Sequence, residues 1–276
     1  LAPENIDILT LSGEIALHQN KPQTALDFAN QALRFHEYET QAVLIKSQAL
    51  KDLGQADQAL EVLETAMQNM EDPLTLQIEY AILLKDVRGA KASIEALEQL
   101  VERTPNNPKI LSLLARNMAD LGETESAIHT AQRALQESNG SLQLISKAEL
   151  HYLLGSLLIR TRQLDQAVFH LSESIALTPN YIEPYLELGH AQQERRQFRQ
   201  ALEVYQRATR IAPNDPRPHY LAGIAFKEGK DYQASETMLR RAADLAPEDV
   251  NIRRQLAAVV ALNLVHNPRS KRIGEE

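Results

Sequence analysis

A small-residue signature returns every 34 residues along this chain. Leu188-Gly189 is preceded 34 residues earlier by Leu154-Gly155 and followed 34 residues later by Ala222-Gly223. Downstream of each pair stands a small residue at one offset (Ala167, Ala201, Ser235), and another follows seven residues on (Ser174, Ala208, Ala242). Each stretch then closes on proline, at Pro179, Pro213 and Pro247. A fixed period of this length marks one supersecondary unit copied along the chain. Each copy is too small to bury its own apolar face and is stabilised by stacking on its neighbours.

Extending the frame gives units at 6–39, 40–73, 74–107, 108–147, 148–181, 182–215 and 216–249. Their eighth position reads Gly13, Ser47, Ala81, Ala115, Gly155, Gly189 and Gly223; their twentieth reads Ala25, Ala59, Ser93, Ala127, Ala167, Ala201 and Ser235. Small side chains at two fixed places let a pair of helices cross closely. Larger apolar residues surround those places: Leu114, Leu154 and Leu188 on the first helix, and Leu63, Leu97, Leu171 and Leu239 on the second. With no Trp and few aromatics, the apolar content is mainly Leu, Ala, Ile and Val, and its Leu- and Ala-rich share favours helix over sheet.

The frame has local departures. Ser12 and Lys46 occupy places of a buried leucine, Leu100 replaces a small residue, and Glu37, Glu71 and Asn139 stand where the closing proline falls elsewhere. The fourth unit is stretched, 108–147, and Asn139-Gly140 followed by Ser141 as N-cap predicts a following first helix lengthened at its start. Residues 1–5 share the phase of Leu245–Asp249 and read as the tail of a preceding repeat. Residues 250–266 read as a terminal capping helix packing through Leu256, Ala257 and Val260, and 267–276 as a flexible tail. Apolar character spread around that helix predicts a fragment of a longer protein.

This pattern resembles the tetratricopeptide repeat over nearly the whole chain. The resemblance implies an all-α fold, a right-handed superhelical solenoid of antiparallel helix pairs, with first helices lining a concave groove. At the family's groove positions stand Ile45, Ile78, Ile82, Lys109, Leu113, Arg116, Tyr152, Arg160, Glu183, Glu187, His190 and Tyr220, with Leu44, Leu153, Leu186, Arg217 and Ile224 beside them. Such a mixed track suits an extended peptide or amphipathic helix. Tyr152, Leu186 and Tyr220 could equally pack between helices. The family's clamp for acidic chaperone tails finds no matching Lys and Asn set, and its asparagine ladder finds no Asn at the sixth position.

Charge and chemistry narrow the function classes. Lys and Arg against Asp and Glu number 12 to 21 over residues 1–147 and 17 to 16 over 148–276. The chain lacks the basic surplus that would displace counterions, which argues against a nucleic-acid partner. It has no Cys and no apolar run long enough for membrane insertion. No helix-borne zinc motif, phosphate loop or nucleophile elbow is present, so no metal, cofactor or enzyme activity is expected. His151 and His219 read as packing residues, and Arg195, Arg196, Arg199, Arg207, Arg210, Arg240 and Arg241 as a solvated face. The leading expectation is a scaffold binding a protein or peptide segment. The alternatives are a recruiting arm of a larger enzyme and a self-associating module that forms a homo-oligomer.

Overall fold

A computed structural model describes residues 5–138 and 142–266. Among them are fifteen α-helices and no strand. The chain forms two compact units, Leu1–Ser138 and Asn139–Glu276. The first contains α1 (Ile6–His18), α2 (Pro22–Phe35), α3 (Thr40–Asp52), α4 (Ala56–Gln68), α5 (Leu74–Arg88), α6 (Ala90–Arg103), α7 (Pro108–Asp120) and α8 (Thr124–Glu137). The second contains α9 (Leu144–Arg160), α10 (Leu164–Leu177), α11 (Glu183–Glu194), α12 (Phe198–Ile211), α13 (Pro216–Glu228), α14 (Tyr232–Leu245) and α15 (Val250–His266).

Within each unit, consecutive helices pair and each pair leans on the next. Cross-contacts give the pairing direction. Ala148 meets Ser174, His151 meets His170 and Gly155 meets Leu171, closing inward on the loop between α9 and α10 as antiparallel helices must. Every even-numbered helix from α2 to α14 buries one narrow stripe at i, i+4 and i+7: Ala25, Ala29 and Ala32 on α2, and Ala201, Tyr205 and Ala208 on α12. That spacing is one face of a helix with 3.6 residues per turn. First helices such as α9 bury two faces, through Leu150, His151, Leu154, Leu157 and Leu158, because they are packed on both sides.

All fourteen small residues at the eighth and twentieth positions are buried. Where the twentieth residue is serine, its hydroxyl donates to the backbone across the crossing, from Ser235 to the Gly223 carbonyl at 2.6 Å and from Ser93 to the Ala81 carbonyl. Asn117 on α7 in turn donates to Ser93 Oγ at 2.8 Å, joining one repeat to the next between their helices. A buried hydroxyl is costly unless it finds such a partner. Charged pairs link successive first helices at their C-terminal ends, Lys51 with Asp86 at 2.6 Å and Lys85 with Asp120 at 2.5 Å.

The turns within the pairs share one geometry. The residue two places after the helix adopts positive φ in six of them: Asn20, Gly54, Gly122, Arg162, Arg196 and Lys230. The next amide then bonds back to the helix, Gln55 N–H to the Leu50 carbonyl at 2.8 Å and Gln197 N–H to the Gln192 carbonyl at 2.8 Å. This Schellman closure satisfies carbonyls the helix leaves open.

Two sequence expectations shift here. The lengthened helix α9 begins at Leu144 after Gln143, which makes no side-chain cap, and the expected Asn139-Gly140-Ser141 turn lies outside the described residues, as do most of residues 1–5 and all of 267–276. On α15 the buried residues are Ile252 and Val259, while Ala257 is exposed and Leu256 and Val260 are half-buried. Ala257 occupies the place where a second helix would cross, and among the described residues none packs there.

Candidate functional site

In the second unit the first helices α11 and α13 contact one another, and α13 contacts α15. Along this row runs an open groove of about 570 Å³. Leu186, Glu187 and His190 enter from α11, Pro216, Arg217, Tyr220 and Leu221 from α13, and Asp249, Asn251 and Ile252 from the start of α15. The spacings 186, 187, 190 and 216, 217, 220, 221 each define one helical face. The floor is apolar, from Leu186, Tyr220, Leu221 and Ile252, and charged groups stand among it. Clefts of this size with an apolar lining and few polar groups are the usual form of a binding site.

The charges are held by local structure. Asp215 caps α13, accepting from the Arg217 backbone N–H at 2.8 Å, and its carboxylate also takes the Arg217 guanidinium at 2.6 and 2.9 Å. Burial would raise the Asp215 pKa, but the Arg217 hydrogen bonds prevail and hold it below the usual carboxylate range. Arg217 reaches Glu183 as well, at 3.5 Å. Asp249 caps α15 by accepting from the Asn251 and Ile252 amides at 2.8 and 3.2 Å. His190 stands 3.7 Å from Glu194. Among the described residues Glu187 has neither an ion-pair nor a hydrogen-bond partner, and it is half-buried.

Of the residues expected to line a groove, this site brings together Glu187, His190 and Tyr220, with Glu183 behind Arg217. Tyr152 lies on α9, half-buried, with its ring edge-on to Tyr181 at 5.4 Å, and burial raises its phenol pKa. Arg160 is exposed at the end of α9. In the first unit Lys109 and Arg116 are exposed on α7, and Leu113 and Ile82 are half-buried. Ile45 and Ile78 are withdrawn from any groove, being only 2% and 5% exposed. Ile45 fills the space beside Gly13, where a β-carbon would stand 3.0 Å from its Cγ2, and Ile78 lies on α5 between α3 and α7.

Sequence reasoning misses Asp249, Asn251 and Ile252 because it treats 250–266 as a closing helix. Carrying the 34-residue frame one step further makes Val250 the first position of another unit, and Asn251 and Ile252 then fall beside the groove face of α13.

Outside the groove, several histidines and arginines pack or pair. His151 and His170 face each other with Nδ1 atoms 3.0 Å apart, one ring donating and the other accepting. Burial, then repulsion from His170 and Lys147, lowers the His151 pKa to about 4, and burial also lowers that of His170. His219 is half-buried and its pKa is likewise lowered by burial. Arg195 pairs with Asp165, Arg199 with Glu203 and Arg240 with Glu236, and Arg207 lies over the Tyr185 ring at 5.2 Å. Among the described residues no three His, Cys, Asp or Glu side chains gather as a metal site, and no helix is long and apolar enough to cross a membrane.

Paired antiparallel helices of 34-residue period, nested on small residues, are the arrangement of tetratricopeptide repeats. Comparison agrees: residues 158–223 match the tetratricopeptide repeat family model. Among solved structures, YrrB, described as a TPR protein with an unusual peptide-binding site, aligns with a TM-score of 0.62 at 18% identity over 71% of this chain and 97% of its own. The C-terminal part of a TPR repeat-containing protein from Cytophaga hutchinsonii aligns at 0.64 and 14% identity, over 90% and 99%. The APC/C hetero-tetramer Cut9-Hcn1 aligns at 0.64 and 14% identity over 94% of this chain, which spans 50% of that one. At these identities the likeness is one of fold. No curated protein sequence matches the chain.

Proposed function

We propose that this chain is a protein-interaction scaffold that holds a polypeptide segment in the groove formed by α11, α13 and α15. The observation that carries this reading is the common register of three successive first helices, which present Leu186, Tyr220, Leu221 and Ile252 as one apolar floor of an open groove. An extended peptide or a helix with apolar anchors at helical spacing can lay those anchors on such a floor while flanking charges set its register. The peptide-binding site named for YrrB supports the choice of ligand class.

The test is selection of a randomised peptide library on the whole chain, followed by hydrogen exchange of the chain with a selected peptide. Added protection should fall on α11, α13 and the first turns of α15, and Leu221→Arg should abolish binding by placing a guanidinium on the floor. Binding that survives Leu221→Arg, with protection confined to other helices, would refute the groove.

A further inference from the structure

We infer that the segment held in this groove is basic as well as apolar, carrying a lysine or arginine beside a large apolar side chain. This rests on the groove being a polypeptide site, and the charges around it supply the specificity. Arg217 is the one guanidinium or ammonium among the lining residues, and it is already engaged by Asp215 at 2.6 Å and Glu183 at 3.5 Å. Glu187 has no such partner, although it is half-buried beside Leu186. Asp249 adds a second carboxylate from α15.

Glu187 and Asp249 thus line the groove together with one guanidinium that Asp215 and Glu183 already engage, so the cluster sets four carboxylates against one arginine. That surplus is local, because residues 148–276 carry 17 Lys and Arg against 16 Asp and Glu. A cleft lined by one sign of charge over an apolar wall concentrates its field on whatever enters. A cation bound beside Glu187 gives that carboxylate a partner, and the half-buried Tyr220 lines the same groove with an aromatic ring, a group that attracts cations. A neutral segment would dehydrate Glu187 with nothing in return, and an acidic one would be repelled.

The experiment compares peptides selected from the randomised library on the wild-type chain, on Glu187→Gln and on Glu187→Lys. Wild type should enrich peptides with Lys or Arg next to Leu, Ile, Phe or Tyr. Glu187→Gln, nearly isosteric, should weaken those peptides about tenfold, and Glu187→Lys should select acidic peptides instead. Peptides that are neutral or acidic on wild type, or basic peptides indifferent to both changes, would overturn the inference. If such peptides still lost binding on Leu221→Arg, the groove itself would stand. Enrichment of no peptide at all would overturn both.

Discussion

The crossing of Gly189 with Tyr205 allows close helix nesting to be tested at a single atom. A β-carbon built on Gly189 would lie 2.2 Å from Tyr205 Cε1, 2.5 Å from Cζ and 2.8 Å from Cδ1. Carbon atoms in good contact sit about 3.5–4.0 Å apart, so Gly189→Ala demands a displacement of more than about 1 Å. Tyr205 has nowhere to go: its side chain is fully buried and its hydroxyl donates to Gln193 Oε1 at 2.5 Å. Overpacking costs about 1–3 kcal/mol, and a clash this close falls at the upper end, about 2–3 kcal/mol, against about 1 kcal/mol gained because alanine favours helix over glycine. The net loss should be about 1–2 kcal/mol, read as a fall in thermal midpoint of about 2–8 °C by circular dichroism. The pair Ala81 and Leu97 occupies the same register in the first unit, both fully buried. In a Tyr205→Leu background, therefore, Gly189→Ala should cost at least about 1 kcal/mol less, the coupling expected of residues in direct contact. An unchanged or raised midpoint for Gly189→Ala in the wild-type background would refute the reasoning.

Other contacts set further expectations. Ser93→Ala strands the buried Asn117 amide that donates to Ser93 Oγ at 2.8 Å, and should cost about 1–3 kcal/mol in urea unfolding; Ser235→Ala, with no second side chain depending on it, should cost less. Arg196 holds a φ of 59°, so Arg196→Gly should raise stability by about 0.5–1 kcal/mol on the same assay. The His151–His170 pair predicts a pH response. Folded pKa values below the ordinary histidine value mean that the unfolded chain binds protons first, so stability should fall as pH drops from about 6.5 toward about 4. The loss should be on the order of 2–3 kcal/mol, and His151→Gln should flatten that slope; identical slopes for variant and wild type would contradict it.

The fold is legible because its cause is periodic. Gly155, Gly189 and Gly223 announce close crossings at a fixed spacing, and each crossing lies where the spacing puts it. Register also places Leu186, Glu187, His190, Arg217 and Tyr220 on one side of α11 and α13. Register cannot state how near a neighbouring helix comes, which is why it assigns Ile45 to a groove although Gly13 lets α1 close over it. The His151–His170 contact escapes sequence reasoning for a related cause. The two residues are 19 apart on different helices, and only the antiparallel pairing of α9 with α10 brings their rings together.

The most direct measurement replaces Tyr220 with a benzophenone-bearing amino acid and irradiates the chain in the presence of a selected peptide. Position 220 should yield a covalent adduct, and the same probe at Arg241, exposed on α14, should not. Adducts at 241 with none at 220 would contradict the account.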